Sequence, residues 1–134
     1  MSISSPSGGS LSSSFSDAEL RYLRSGRRLA RIATVGPDGT PHVVPTGWSY
    51  NPQYDSIDIG GIDLAETRKY KDVARTGRAA VVVDDVAAPW HPRSVEVRGR
   101  AEAIGHPTPL IRIHPDRVVS CGLTGDSPSD GGRR

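Results

Sequence analysis

The chain has 134 residues, with 17 Lys and Arg against 15 Asp and Glu and a formal net charge of +2, a size that bounds it to one domain around one core. Cations and carboxylates are interleaved, and four tyrosines, two tryptophans and one phenylalanine are scattered, so no basic stripe with stacking platforms marks a nucleic-acid binder. One cysteine, Cys121, excludes an internal disulfide framework, and no apolar run approaches the roughly 18 residues of a membrane span. Residues 1–15 are Ser-rich, with eight serines in the first fourteen positions, and lack the charged start and apolar centre of a signal peptide; a disordered tail on a cytoplasmic protein is expected.

Ser16-Asp17-Ala18-Glu19 is a capping box, with Phe15 and Leu20 placed as a hydrophobic staple, so a helix is expected over residues 17–25, stopping at Gly26. Leu20 and Leu23 are its apolar face. Residues 29–35 read as a strand, Gly36-Pro37-Asp38-Gly39 as a hairpin turn and residues 40–46 as the returning strand. Pro41 and Pro45 are four apart, so their missing N–H groups fall on one edge and point to an edge strand, or to one interrupted where something docks. Residues 47–50 continue this region, 51–54 turn the chain, and 56–60 form the next strand.

A short helix follows, with Tyr70, Val73 and Ala74 at i, i+3, i+4 spacing and Thr76-Gly77 as its stop. Residues 78–83 are a buried strand, 87–92 a Pro-rich loop and 94–103 an alternating, half-exposed strand. Residues 111–114 and 117–120 supply the last one or two strands. Six or so short antiparallel strands and two helices make a β-rich α+β domain over residues 16–123, most simply a small barrel, with a second tail at 124–134.

Glu66-Thr67-Arg68-Lys69-Tyr70-Lys71-Asp72 puts three cations on the first turn of a helix, where unpaired N–H groups and the helix dipole disfavour each by roughly 0.3–1 kcal/mol. A bound phosphate would reverse the sign, meeting free N–H donors, the Thr67 hydroxyl, a guanidinium and an ammonium together. A solvated basic face, with Glu66 and Asp72 as counter-charges, is the other reading. Catalytic constellations are nearly absent. His91, His106 and His114 have no partner at metal-ligand spacing, and no metal is expected. Cys121 reads as a small core residue beside Val118 and Val119. Asp58 with Asp63 and Asp84 with Asp85 sit at strand ends and turns where carboxylates are ordinary, and Gly60-Gly61 lacks phosphate-loop spacing. An anion anchor without acid, base or nucleophile suggests that a cofactor does the chemistry.

The order of Gly36-Pro37-Asp38-Gly39-Thr40-Pro41, Val44-Pro45-Thr46, Thr67-Arg68-Lys69 on a helix, Gly77-Arg78-Ala79-Ala80-Val81-Val82-Val83 and Val95-Glu96-Val97-Arg98-Gly99-Arg100-Ala101 resembles the pyridoxamine 5'-phosphate oxidase-like split β-barrel flavoproteins. The ending Ile111-Arg112-Ile113-His114-Pro115 through Val118-Val119-Ser120 looks most like the small actinobacterial oxidoreductases that use the deazaflavin coenzyme F-420. The resemblance covers residues 28–123 and rests on the order and spacing of all these segments. It implies a six-stranded antiparallel split barrel and a homodimer with cofactor between the subunits. Thr67, Arg68 and Lys69 would hold the cofactor phosphate. Val44, Pro45 and Thr46 would lie along the ring system, and Trp48 would border that cavity or serve as a core or interface aromatic. Two departures stand out: a short connection at 103–110, and Cys121 where an aromatic is common.

The function so implied is hydride transfer between reduced deazaflavin and a small organic acceptor, with no side chain nominated as acid or base. An FMN-dependent oxidoreductase of the same fold and a non-catalytic cofactor carrier are the alternatives, since Thr67, Arg68 and Lys69 would serve either phosphate. Surface accounting also asks for a dimer. Val43, Val44, Trp48, Ile57, Ile59, Val81, Val83, Val95 and Val97 offer apolar side chains on both sides of several strands, and a barrel interior absorbs only one side.

Overall fold

A computed structural model describes residues 13–123; the tail expectations for residues 1–12 and 124–134 lie outside the described residues. Residues 13–15 pack against the folded domain. The Ser13 hydroxyl and the Ser14 N–H both donate to the Asp55 carboxylate, at 2.8 and 2.7 Å. Phe15 is buried and meets the Tyr50 ring edge-on at 5.6 Å.

Helix α1 spans Asp17–Arg24, and both halves of its capping box form: the Glu19 N–H donates to Ser16 Oγ at 3.1 Å and the Ser16 N–H to Glu19 Oε1 at 2.8 Å. Phe15 joins the buried core cluster and Leu20, half-buried, packs against it. The buried face is wider than two leucines, taking in Ala18, Glu19 and Tyr22 beside Leu23.

Seven strands follow: β1 Ala30–Val35, β2 Pro41–Thr46, β3 Ser49–Asn51, β4 Ser56–Ile59, β5 Arg78–Ala87, β6 His91–Ile104 and β7 Leu110–Cys121. They form one antiparallel sheet in the order β2-β1-β5-β6-β7-β4-β3. The seventh strand is β3, a three-residue piece paired to β4. It is too short to show alternation, and so reads in sequence only as a continuation of β2. The expected Pro-rich loop at 87–92 is mostly ladder. Val86 faces Pro92 and Ala87 faces His91, leaving only residues 88–90 to turn. The two final segments are one strand, bent by a register shift opposite Arg98 and Gly99. A Cβ at Gly99 would lie 1.9 Å from the His114 carbonyl oxygen, so only glycine lets the two backbones approach this closely.

Period-two alternation sorts the side chains. Ile32, Ile57, Ile59, Val81, Val83, Val95, Val97, Ile111 and Ile113 all enter one core. Of the residues expected to face outward as well as inward, only Val43 and Val44 are exposed. Helix α2, Arg68–Thr76, follows a short helical turn at Leu64–Glu66. It ends where Gly77 takes a left-handed φ of 70° and donates its N–H to the Val73 carbonyl at 2.8 Å. The Gly77 carbonyl then accepts the Ala101 N–H, which fastens the end of α2 to β6.

Candidate functional site

The start of α2 has the electrostatics that its sequence predicts. Thr67 is the N-cap: its hydroxyl oxygen accepts the Tyr70 N–H at 3.3 Å, and its proton goes to the Leu64 carbonyl at 2.6 Å. The Lys71 N–H reaches the Thr67 carbonyl. The backbone N–H groups of Arg68 and Lys69 have no acceptor among the described residues. No acidic residue stands in the first turn. Among the described residues Arg68, Lys69 and Lys71 make no ion pair. The first turn therefore offers two free N–H donors and three uncompensated cations, which suits an anion. Thr67 itself is committed to capping.

Asp72 is not a counter-charge to these cations, contrary to the basic-face reading. It is only 1% exposed and turned into the protein. There it accepts from Thr34 Oγ1 at 2.8 Å, lies 3.0 Å from His42 Nδ1 and accepts from Arg75 Nη1 at 3.3 Å. Burial opposes its charge, but the bonds to His42, Thr34 and Arg75 outweigh that and hold its carboxyl below the ordinary carboxylate range. Sequence reasoning missed this cluster because Thr34, His42 and Asp72 come from three separate elements. The signal available was Asp72 lying one position before the apolar Val73, on the face of α2 that packs inward.

His42 ties α2 to β2, which is an edge strand of the sheet, as Pro41 and Pro45 suggest. Its face of β2 continues through Val44, opposite Ile32, to the buried Thr46, opposite Ala30. Pro45 is exposed on the other face, beside Val43. The strand expected to carry the ring is thus joined, through His42 and Asp72, to the middle of the helix expected to hold the phosphate. Trp48 is not brought to the helix start. Its indole N–H donates to the Arg28 carbonyl at 2.8 Å, and it borders a cleft of about 480 Å³ beside the end of α1.

Of the carboxylates set aside in sequence, Asp58, Asp84 and Asp85 are engaged, while Asp63 is exposed and makes no side-chain cap bond. Asp58 resists burial by accepting from Arg112, Asn51 and Ser56, and stays below the ordinary range. Asp85 is held well below it by Arg93, against burial, with help from Arg28 and Tyr22. Asp84 pairs with Arg31 on the opposite face of β5. Burial and the bond to Asp55 push the Tyr50 phenol up to about 12. No helix among the described residues is long and apolar enough to cross a membrane.

An antiparallel sheet curled round one core, with two helices, defines a small split barrel. The chain belongs to the pyridoxamine 5'-phosphate oxidase family, whose pattern matches residues 16–117. It is 37% identical to the 5a,11a-dehydrotetracycline/5a,11a-dehydrooxytetracycline reductase of Streptomyces rimosus, over 90% of this chain and 99% of that one. Among solved structures, a FAD-binding protein from Mesorhizobium loti shares the fold at TM-score 0.60 and 21% identity, covering 79% of this chain and 93% of that one. An F-420 reductase does so at TM-score 0.57 and 19% identity, covering 73% and 94%. The family and the reductase relative make this chain an oxidoreductase.

Proposed function

We propose that the protein transfers a hydride between reduced deazaflavin and a small organic acceptor, acting as a homodimer with cofactor between its subunits. The observation that carries the reading is the start of α2, where Arg68 and Lys69 present charge and free backbone N–H groups with no protein partner among the described residues. These two residues would hold the cofactor phosphate, with Thr67 keeping the helix start in place through its cap. Val44, Pro45 and Thr46 would lie along the ring, on a strand with one edge left unpaired.

A deazaflavin held by Arg68 and Lys69 would supply the hydride for an acceptor double bond, with the accompanying proton coming from water. The chain's own part is binding, orientation and exclusion of solvent. No side chain is nominated as acid or base. Asp58 and Asp85 are held ionised by arginines, and the Tyr50 phenol stays protonated at neutral pH. The acceptor class we favour is a dehydro compound of the kind named for the Streptomyces relative.

The dimer is supported by the outer face of the sheet. There Ala33, Val43, Ala80 and Val82 line a groove of about 410 Å³ between the Arg31–Asp84 and Arg98–Glu96 pairs. A second copy would cover it. The test is anaerobic reoxidation of reduced deazaflavin by the purified protein with 5a,11a-dehydrotetracycline or a quinone. Acceptor-dependent oxidation is expected; tight cofactor binding with no turnover on any acceptor would make the protein a carrier instead.

A further inference from the structure

Thr46 leads directly into Gly47 and Trp48, and these open onto a cleft between the end of α1 and the connection from β2 to β3. Its volume, about 480 Å³, falls within the range of small-molecule sites. Two aromatic walls are fixed in advance. Trp48 is held by its bond to the Arg28 carbonyl. Tyr50 donates its hydroxyl to Asp55 Oδ1 at 2.7 Å and is braced by the Phe15 ring. Side chains already immobilised lose little freedom when a flat ligand stacks on them.

The cleft is also positively charged. Arg28 is engaged by Asp85 and backbone carbonyls, but Arg24 stands with its guanidinium 5.4 Å from the centre of the Tyr50 ring. Arg27 is exposed and makes no ion pair among the described residues. The lining contains no carboxylate. A cavity with rigid aromatic walls, cations at its rim and no acidic group selects for a flat molecule carrying negative charge.

We propose that this cleft is the acceptor site, taking a planar aromatic compound with an anionic group, which stacks on Trp48 and Tyr50 and is met by Arg24 and Arg27. The proposal rests on the reading that Val44, Pro45 and Thr46 carry the cofactor ring, because the acceptor must sit beside it. It assigns Trp48 to the acceptor rather than to the cofactor.

The experiment uses a Trp90→Phe background, in which Trp48 is the only tryptophan, and titrates it with anthraquinone-2-sulfonate and with neutral 2-(hydroxymethyl)anthraquinone. The sulfonate should quench Trp48 saturably and bind at least about tenfold more tightly than the neutral compound. Adding Arg24→Gln and Arg27→Gln together should abolish that preference while leaving deazaflavin affinity unchanged. Absence of quenching, equal affinity for the two probes, or a preference that survives the double substitution would overturn the proposal. Deazaflavin titration of the same samples keeps the two readings apart. If the parent fails to bind deazaflavin yet selects the sulfonate through Arg24 and Arg27, the cofactor reading falls and the anion-selective aromatic cleft stands.

Discussion

Arg68 and Lys69 sit where a helix tolerates positive charge least, so substitution there separates binding from stability. Arg68→Ala and Lys69→Ala should each weaken cofactor binding by roughly 1.5–3 kcal/mol, the worth of a charge-assisted hydrogen bond, as read by fluorescence titration. The melting temperature of the apo protein should stay the same or rise slightly, since like charge has left the helix start. Asp72, four residues further on, should show the opposite balance. Asp72→Ala leaves the Thr34 hydroxyl without its acceptor and His42 without its partner, and should cost about 2–3 kcal/mol in urea denaturation. Its pH dependence has a definite sign. The folded carboxyl titrates below its unfolded value of about 3.9, so its contribution is complete above roughly pH 5 and is lost as pH falls below about 4. The parent should therefore lose its stability advantage over Asp72→Ala on acidification, and a gap that widens toward low pH would show that Asp72 is not held ionised.

Among the elements, β6 and β7 approach each other closely at Gly99. Gly99→Ala would drive a methyl group into the His114 carbonyl, and neither strand can yield without breaking its ladder. A loss of about 3 kcal/mol or more, or failure to fold, is expected, and a variant as stable as the parent would disprove the close approach. Such contacts mark the boundary of what the sequence discloses. Local chemistry was legible. The Ser16 box, the Gly77 stop, the proline-bearing edge strand and the cationic start of α2 each depend on residues within one or two turns of one another, and each is found where it was expected. What escaped depends on distant partners. Thr34, His42 and Asp72 meet only after β1, β2 and α2 have packed, and Asp72 reads in sequence as a surface counter-charge. The cleft walls Arg24, Trp48 and Tyr50 likewise come from α1 and from the segment around β3, with no shared motif. The β5–β6 hairpin runs through Pro92 because a ladder accommodates a proline whose nitrogen is not needed as a donor.

At the scale of the whole molecule, the core absorbs most of the aliphatic side chains, while Val35, Val43 and Val44 stay exposed on the β1–β2 part of the sheet. A symmetric interface of roughly 2,000 Å² would cover the outer face. Light scattering should give a mass near twice the 14.3 kDa chain. Val43→Lys, which places a charge on that face, should shift the mass toward the monomer and weaken cofactor binding with it. A monomeric variant that keeps full cofactor affinity would contradict a site shared between subunits. The proposed function requires that Arg68, Lys69 and the edge strand β2 serve a deazaflavin. The most direct test is parallel fluorescence titration of the apo protein with coenzyme F-420 and with FMN. Micromolar or tighter binding of the deazaflavin is expected, with at least tenfold weaker binding of FMN, a gap of about 1.4 kcal/mol or more. Tighter binding of FMN would contradict it and make the protein an FMN-dependent member of the same family.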